Sequence, residues 1–247
     1  MPNIHVLTYA THNGGTFDKM MKDAENCNMI ITVLGWNEKW EGYFGKLLKL
    51  KSHIETYKPN DIVVVIDAFD TRINGKHDDI KSAYNKYFHG QGIVFSNAVK
   101  KVFPGAPEFI SKYITNRVFG GVLNAGMYMG SATELLSLYK DALQYQHYCK
   151  SDDQCAFNKL LNKLGTSHNI RRDEEFVLFH NIEYHERNIH HTNFKAVFCG
   201  YPGTLEWYRL VRVPYEYVQF LWPEILVSVI CIVFLIHLIR KFTRRTT

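Results

Sequence analysis

Hydrophobic residues are arranged along most of this chain in two alternating patterns. Short unbroken apolar runs predict strands that are buried on both faces, and longer stretches with an apolar residue every three or four positions predict helices. The predicted strands are residues 4–10, 29–34, 62–66, 92–96, 124–130, 176–179 and 194–198. The predicted helices are residues 16–25, 44–57, 78–88, 132–148 and 152–164. This alternation indicates an α/β fold with a largely parallel sheet.

The C-terminal region has a different pattern. Residues 220–239 are mostly apolar, and four basic residues follow within the last eight positions. Twenty helical residues span about 30 Å, the thickness of a bilayer's hydrocarbon core. We therefore expect residues 218–239 to be a single-pass membrane anchor and residues 240–247 a basic tail; the alternative is a buried C-terminal helix. The side of the membrane stays open, because the basic tail favours a cytosolic C-terminus whereas no N-terminal secretory signal is visible.

Length and composition indicate one principal domain. The chain has 247 residues, of which 46% are hydrophobic and 14% aromatic, enough for a packed domain of about 200 residues. We assign residues 1–215 to this domain. The net charge is +5, and part of the excess lies in the basic tail. Because no patch interleaves basic and aromatic residues, we expect no nucleic-acid partner.

The five cysteines occupy positions 27, 149, 155, 199 and 231 and form no CxxC pair. Cys149 and Cys155 are close enough in sequence to form a disulfide. An odd number at irregular spacing nevertheless favours free thiols, and hence a reducing compartment.

Two carboxylates, Asp67 and Asp70, directly follow the apolar run of residues 62–66. Ligands of open α/β sheets bind beyond the carboxyl ends of the strands. Two acidic side chains three residues apart at that edge can share a hard divalent cation, which can hold a diphosphate. The pattern therefore suggests a metal-dependent nucleotide-sugar enzyme, although an isolated pair of this kind is more often a solvated turn.

Polar and aromatic residues near two other predicted strands could complete such a site. Thr8 and Thr11 lie at the end of the first strand, where they could hold a base or ribose, or could simply end the strand. Trp36 and Trp40 follow the second strand and could stack on a sugar or base, or cover the edge of the sheet. Lys46 lies shortly afterwards and could pair with a phosphate.

The second half of the chain adds three candidates. Asn124 lies in a glycine-rich segment, where its amide could bond to a sugar hydroxyl, or the segment could be a β-bulge. Asp152 and Asp153 begin a predicted helix. One of them can cap that helix, and a second carboxylate could orient an acceptor hydroxyl or act as a base.

Several common motifs do not occur in the sequence. Four histidines between positions 180 and 191 fit no common zinc spacing, and there is no H-E-x-x-H. The sequence also contains no G-x-G-x-x-G, no G-x-x-x-x-G-K-[ST] and no G-x-S-x-G. Kinase, dehydrogenase and α/β-hydrolase functions are therefore disfavoured.

Taken in order, these segments resemble the glycosyltransferase domain of the procollagen lysyl hydroxylase/glycosyltransferase family, which glycosylates collagen hydroxylysine. Residues 6–11 are similar to the family's uridine-binding first strand, residues 34–42 resemble its LGxGExWxGG loop, and residues 67–70 match its metal-binding D-x-x-D. Further matches follow in family order at Phe95-Ser96, Phe103-Pro104, residues 123–126 and residues 152–154. The resemblance covers nearly all of residues 4–213.

The resemblance implies a GT-A-type (Rossmann-like) nucleotide-sugar-binding domain that uses Mn²⁺ and a UDP-sugar. It assigns metal binding to Asp67 and Asp70, and stacking on the uracil to Phe69. It places the remaining candidates around the nucleotide-sugar (Thr8, Thr11, Trp40 and Lys46) and at the sugar and acceptor (Asn124, Asp152 and Asp153). The family's iron-dependent hydroxylase domain is expected to be absent.

The third metal ligand of the family is a histidine, and Cys199 stands in its place here. A soft thiol is a poor ligand for Mn²⁺. Three alternatives follow: His190 or His191 substitutes, water completes the site, or the enzyme is impaired.

The resulting prediction is a membrane-anchored hexosyltransferase that uses UDP-glucose or UDP-galactose. The acceptor is a hydroxyl group, with hydroxylysine of a collagen-like protein as a candidate. One alternative is a catalytically impaired GT-A fold that serves as a membrane-tethered binding or scaffold protein, and another is a nucleotide-sugar hydrolase. The sequence leaves open whether the anomeric configuration is retained or inverted.

Overall fold

The structure, a computed structural model, describes most of the first two hundred residues and a short C-terminal segment. The described residues are 2–97, 123–150, 152–163, 168–182, 186, 189–201, 226–234 and 237. The chain divides into two units, Met1–Thr204 and Leu205–Thr247. The Phe103-Pro104 motif and most of the expected anchor at 218–239 lie outside the described residues.

The described part of the first unit contains nine strands and five α-helices. The strands are β1 (Ile4–Tyr9), β2 (Ile31–Leu34), β3 (Ile62–Asp67), β4 (Thr71–Ile73), β5 (Ile93–Asn97), β6 (Leu123–Ser131), β7 (Ile170–Arg172), β8 (Phe179–Asn181) and β9 (Phe198–Gly200). The helices are α1 (Phe17–Asn26), α2 (Gly42–Ile54), α3 (His77–Phe88), α4 (Ala132–Leu143) and α5 (Asp153–Asn162), and residues His191–Asn193 form a 3₁₀ turn.

Six strands form the main sheet in the order β2-β1-β3-β6-β5-β7, and β4-β9-β8 form a smaller one. Strand β1 is parallel to β2 and β3, whereas β6 is antiparallel to both β3 and β5. The sheet is therefore mixed, and the expectation of a largely parallel sheet is only partly correct. Strand direction depends on the path of the connections, which the local hydrophobic pattern does not record.

The main sheet is covered by helices on both faces. Val6 and Val64 belong to a buried cluster with residues of α1 and α3. Their neighbours Leu7 and Val65 belong to a second cluster with residues of α2, α4 and α5. Because successive strand residues point to opposite faces, both faces of β1 and β3 are buried, as their unbroken apolar runs predicted.

The structure differs from the predicted elements in three places. The short strands β4 and β7 were not predicted, because they contain polar residues and no apolar run. Strands β8 and β9 begin near the ends of the predicted runs at 176–179 and 194–198. Helix α4 ends at Leu143, five residues before its predicted end, and turns follow it.

Cys149 and Cys155 form a disulfide, so the prediction of free thiols at these positions is wrong. The turns after α4 return the chain to the first turn of α5, where the two Cα atoms lie 5.6 Å apart. This separation is typical of a disulfide. The other three cysteines, Cys27, Cys199 and Cys231, are free. The cysteine-based argument for a reducing compartment therefore no longer holds.

In the second unit, residues 226–234 are helical and their side chains are exposed. Among the described residues, no helix has both the length and the apolar character needed to cross a membrane. The predicted anchor at 218–239 extends beyond these residues on both sides and stays a prediction.

Candidate active site

The candidate site lies at the carboxyl ends of β1 and β3. Tyr9, the last residue of β1, is paired with Asp67, the last residue of β3. Strand β6 runs in the opposite direction and pairs Met127 with Ile66. The beginning of β6 therefore lies beside the end of β3, and the polar residues of both segments meet at one edge of the sheet.

Lys46 lies between two carboxylates at this edge. Its Nζ is 3.1 Å from Asp67 Oδ1 and 3.3 Å from Asp153 Oδ2. Lys46 and Asp153 are 6% and 3% exposed, whereas Asp67 is partly open to solvent. Although burial disfavours its charge, the negative charges of Asp153 and Asp67 raise the pKa of Lys46 above its ordinary value. The neighbouring carboxylates therefore favour the charged form of Lys46 although the side chain is buried.

Asp153 is the acidic partner of Lys46 on α5. Burial raises the pKa of Asp153 to about 6, against the opposing effect of Lys46. Its neighbour Asp152 has a different role, because its Oδ1 accepts hydrogen bonds from the backbone N–H groups of Gln154 and Cys155. Asp152 is thus the N-cap of α5. One acid of the pair caps the helix and the other points into the site.

Asp70 is the second carboxylate of the D-x-x-D segment. Loss of hydration and then the charge of Asp67 raise the pKa of Asp70 to about 7. The backbone carbonyl of Asp70 accepts a hydrogen bond from the N–H of Tyr201, 2.6 Å away, which connects this segment to the end of β9. A carboxyl group whose charge is disfavoured by the neighbouring Asp67 carboxylate is a suitable place for a divalent cation to bind.

The backbone of Gly126 passes close to Asp67. A Cβ at this position would lie 2.8 Å from Asp67 Oδ2 and 2.8 Å from Asn124 Oδ1. Only a glycine leaves the Asp67 carboxylate this space. The oxygen donors and the free space together fit a hard cation such as Mn²⁺, with a diphosphate or water supplying further oxygen ligands.

Asn124 is held in place by its own side-chain oxygen. Asn124 Oδ1 accepts hydrogen bonds from the N–H of Gly126 at 2.8 Å and from Ser96 Oγ at 3.3 Å. These contacts orient the amide, and its Nδ2 has no partner among the described residues. The NH₂ group can therefore donate to a sugar hydroxyl.

The two threonines differ in their surroundings. Thr8 is buried and its hydroxyl donates to the carbonyl of Ile66 at 2.8 Å, so this hydroxyl is used within the sheet. Thr11 is only partly buried, and its Oγ1 lies 2.9 Å from His12 Nδ1. Of the two predicted nucleotide contacts, Thr11 is the one whose hydroxyl lies near the surface.

Aromatic side chains surround the same edge. Trp36 and Trp40 are 44% and 45% exposed, and the ring of Trp40 lies 5.7 Å from that of Tyr9. Trp36 stacks on Phe17 at 5.1 Å. Phe69 is partly buried, with its ring 5.1 Å from that of His12. The half-exposed faces of the tryptophans are available for stacking on a base or sugar.

Cys199 lies in a buried apolar cluster with Ile182 and Ala196. Burial raises the pKa of its thiol to about 12, which disfavours the thiolate that binds metals. His191 is also buried, with Nε2 3.7 Å from Asp23 Oδ2, and the exposed His190 contacts Thr192. In the part of the chain that the structure describes, no three His, Cys, Asp or Glu side chains are grouped to hold a metal ion.

Two contributors to the site were missing from the predicted set of site residues. Gly126 stands out in the sequence only as a small residue, and its proximity to Asp67 follows from the antiparallel direction of β6. Asn158 is buried and bonds to both the N–H and the carbonyl of Leu123, which fixes α5 to the start of β6. The sequence contained one sign of this role, because Asn158 is a polar residue among the apolar residues Ala156, Phe157 and Leu160.

Comparison with known families identifies the kind of domain that carries this candidate site. The family model described as the PLOD GT domain matches residues 1–197, most of the chain. The chain belongs to this family. It therefore contains a glycosyltransferase domain of the kind found in procollagen lysyl hydroxylases, as its motifs indicated.

Curated relatives support the same assignment. The chain is 25% identical over 197 residues to the multifunctional procollagen lysine hydroxylase and glycosyltransferase of Caenorhabditis elegans, covering 74% of this chain and 26% of that protein. It is 27% identical over 202 residues to procollagen-lysine,2-oxoglutarate 5-dioxygenase of Drosophila melanogaster, covering 72% of this chain and 25% of that protein. The chain thus spans about a quarter of the length of these relatives.

The fold is also found in a glycosyltransferase involved in the glycosylation of the major capsid of PBCV-1. The TM-score is 0.54 at 11% identity, and the match covers 82% of this chain and 94% of that structure. At this identity the likeness concerns the fold alone. Together with the mixed, helix-covered sheet, it supports a GT-A-type, Rossmann-like domain.

Proposed function

We propose that the protein is a Mn²⁺-dependent hexosyltransferase that moves glucose or galactose from a UDP-sugar to a hydroxyl acceptor. The observation that carries this proposal is the chain of charges at one sheet edge, in which Lys46 joins Asp67 to the buried Asp153. It combines a candidate metal ligand, a cation and a candidate base within one small site.

Asp67 and Asp70 are the residues that would hold the metal. When bound, Mn²⁺ supplies positive charge to the departing diphosphate, and electrostatic stabilisation of this kind usually contributes more to catalysis than any other effect. Lys46 adds a second, fixed cation beside Asp67. Since the Lys46 side chain is buried, little water screens its charge from a phosphate bound at this edge.

Asp153 is the candidate for activating the acceptor. With a pKa raised to about 6, it is mostly ionised at neutral pH and yet basic enough to accept a proton from a hydroxyl group. Asn124 would orient the donor sugar through its amide NH₂ group. Trp36 and Trp40 offer stacking surfaces for the base or sugar.

The acceptor class is suggested by the relatives. One of them is named a procollagen lysine hydroxylase and glycosyltransferase, and the other a procollagen-lysine dioxygenase. We propose hydroxylysine in a collagen-like protein as the acceptor of this chain. The donors that best suit this assignment are UDP-glucose and UDP-galactose.

The proposal is tested with the purified full-length chain in mild detergent. UDP release is measured from UDP-glucose and UDP-galactose, with Mn²⁺ or with EDTA, and with or without a hydroxylysine-containing collagen peptide. Release that requires Mn²⁺ and increases with the peptide would support a transferase and identify its donor. Release that is independent of the peptide would indicate a nucleotide-sugar hydrolase.

The position of Cys199 favours a second candidate, a GT-A fold that has lost turnover and serves as a membrane-tethered binding or scaffold protein. In place of the family's histidine ligand the chain has a thiol that is buried away from water. Titration calorimetry with UDP and Mn²⁺ separates this candidate from the first. A folded protein that neither binds UDP–Mn²⁺ nor releases UDP would support it.

We also propose that the C-terminal segment tethers the domain to a membrane. The exposed apolar side chains of residues 226–234 and the basic residues that follow support this. The Cys149–Cys155 disulfide favours an oxidising compartment for the domain, and the basic tail favours the cytosolic side. Alkaline carbonate extraction tests the tether, and protease protection of an epitope on the tail tests the orientation.

A further inference from the structure

The Cys149–Cys155 disulfide closes a short loop that contains Asp152 and Asp153. Its two cysteines are six positions apart. Hydrogen bonds connect both of them to the N-cap, because the N–H of Asp152 donates to the carbonyl of Cys149 at 2.9 Å and the N–H of Cys155 donates to Asp152 Oδ1 at 3.3 Å. The covalent bond and the helix cap therefore hold the same turn.

This turn determines where the Asp153 carboxylate lies. Asp153 is the first residue of α5, directly after the cap, and its Oδ2 lies 3.3 Å from Lys46 Nζ. Helix α5 is fixed more firmly one turn later, where the buried Asn158 bonds to Leu123 on β6. At the first turn, the contact of Gln154 Oε1 with the N–H of Ala125 is long, at 3.4 Å. Helix ends fray first, so the turn with Asp153 needs a separate restraint.

The loop also contains an unfavourable backbone conformation. Lys150 has a φ of +49°, in the left-handed region that residues with a side chain seldom adopt. In an open chain this residue would tend to leave that region and take the following cap with it. Closure of the loop by a disulfide reduces the number of alternative conformations.

We propose that Cys149 and Cys155 are positioning residues whose disulfide holds Asp153 against Lys46 for acceptor activation. This inference rests on the proposed transferase function. Opening the bond would leave Asp67, Asp70 and Lys46 in place, because they belong to β3, the segment after it and α2. Loss of the disulfide therefore reduces the rate of sugar transfer more than it reduces binding of the donor.

The bond can be opened chemically by a phosphine reductant. The phosphine attacks one sulfur, the S–S bond breaks, and hydrolysis gives two thiols and one phosphine oxide. Phosphorus loses the two electrons that the disulfide gains, and water supplies the oxygen and the two protons. Iodoacetamide and mass spectrometry then count the thiols that are exposed.

The test compares the full-length chain with a Cys149→Ser/Cys155→Ser variant in the Mn²⁺-dependent UDP-release assay. We expect kcat to fall about tenfold, since small misplacements of a catalytic group have effects of this size or larger, while KM for the donor changes less than twofold. Phosphine treatment should reproduce this fall in the wild-type protein and have no effect on the double variant. Cys231→Ser, at an exposed free cysteine, is the matched control and should behave like wild type.

A second measurement does not depend on activity. Hydrogen exchange at the N–H groups of Gln154 and Cys155, both bonded to Asp152, reports opening of the turn. We expect exchange at these two groups to become at least tenfold faster after reduction, with little change at Asn158. If the oxidised wild-type protein releases no UDP, the proposed function fails, and exchange alone decides whether the disulfide holds the turn.

Three results would overturn the inference. The first is alkylation of both cysteines in the untreated protein, which would show that the bond is absent. The second is an unchanged kcat after complete reduction, with or without a fall in melting temperature. This result would show that the disulfide does not position Asp153 and contributes at most to stability. The third is slow exchange of the Gln154 and Cys155 N–H groups in the reduced protein.

Discussion

Lys46 Nζ and Asp153 Oδ2 lie 3.3 Å apart, although the two residues belong to different helices and are separated by more than one hundred positions in the chain. Both side chains are almost completely buried. Burying two charges costs free energy that their attraction only partly offsets, so such a pair contributes little net stability. Its position beside Asp67 connects the pair to the proposed chemistry.

The variant Lys46→Met should lose both activity and stability. It removes the cation beside Asp67 and leaves the Asp153 carboxylate buried without its partner. Breaking a buried ion pair from one side typically costs about 3 kcal/mol. We expect the free energy of unfolding in urea to fall by about this amount, and Mn²⁺-dependent UDP release to fall at least about a hundredfold.

The matched control is Lys49→Met on the same helix. Lys49 Nζ pairs with Glu38 Oε2 at 2.6 Å, but both side chains are largely exposed. Exposed pairs of this kind contribute little to stability. The control should keep the wild-type urea midpoint and wild-type UDP release. Equal effects of the two variants would show that the buried position of Lys46 has no special role.

Asp67→Asn and Asp70→Asn should each abolish Mn²⁺-dependent UDP release while the protein stays folded. An amide is a weaker ligand than a carboxylate for a hard cation, and it removes one of the two negative charges at the site. Calorimetric titration with UDP and Mn²⁺ should show the loss of metal-dependent binding. Asp78→Asn, at an exposed position in the first turn of α3, is the control and should bind normally. Retained activity in both site variants would refute the metal assignment.

Much of the fold could be predicted from the sequence because the central strands and helices bury apolar side chains, which recur in the sequence at regular spacings. The unbroken apolar run of β3 and the helical spacing in α2 appear where the pattern placed them. Strands β4 and β7 have three residues each and include Arg72, Arg171 and Arg172, so they lack any such run. They form by pairing with distant strands, which a local pattern does not show.

Candidate site residues could be chosen from the sequence where they directly follow a strand or lie in a recognisable motif. Asp67, Asp70 and Lys46 were chosen as candidates in this way, and the structure brings Lys46 and Asp67 together. The sequence did not show that Asp152 caps α5 and that Asp153 points into the site, because these roles depend on which residue begins the helix. The disulfide was missed for a related reason: the turns after α4 bring Cys149 to α5 only because α4 ends early.

Gly126→Ala should impair metal and nucleotide binding with little effect on the fold. The added Cβ would lie 2.8 Å from both Asp67 Oδ2 and Asn124 Oδ1, closer than atoms of these types approach without displacement. We expect the affinity for UDP–Mn²⁺ to fall at least about tenfold, because the carboxylate must move to make room. Calorimetric titration measures this change, and circular dichroism checks the fold. Unchanged affinity would show that the Asp67 carboxylate tolerates displacement.

A fourth prediction concerns acid stability and the partly buried pair of Asp23 on α1 with Arg72 on β4. Arg72 Nε is 2.5 Å from Asp23 Oδ2, and Arg72 Nη2 is 2.9 Å from Asp23 Oδ1. Although partial burial opposes it, these bonds and the N–H of Ile73 lower the pKa of Asp23 below its ordinary value. The carboxylate of Asp23 therefore favours the folded state only while it is ionised.

For a carboxyl group whose pKa is lowered by folding, the stabilisation is fully present above the unfolded pKa of about 3.9 and is lost as the pH falls through the folded value. Asp23→Asn should lower the free energy of unfolding by about 2 kcal/mol at pH 7, the range of a charged hydrogen bond. The difference in free energy of unfolding between Asp23→Asn and wild type should become smaller below about pH 4. Urea titrations at pH 7 and pH 3 measure it, with the exposed Asp18→Asn as control. A difference that stays constant between these two pH values would show that the charge of Asp23 is not what connects α1 to β4.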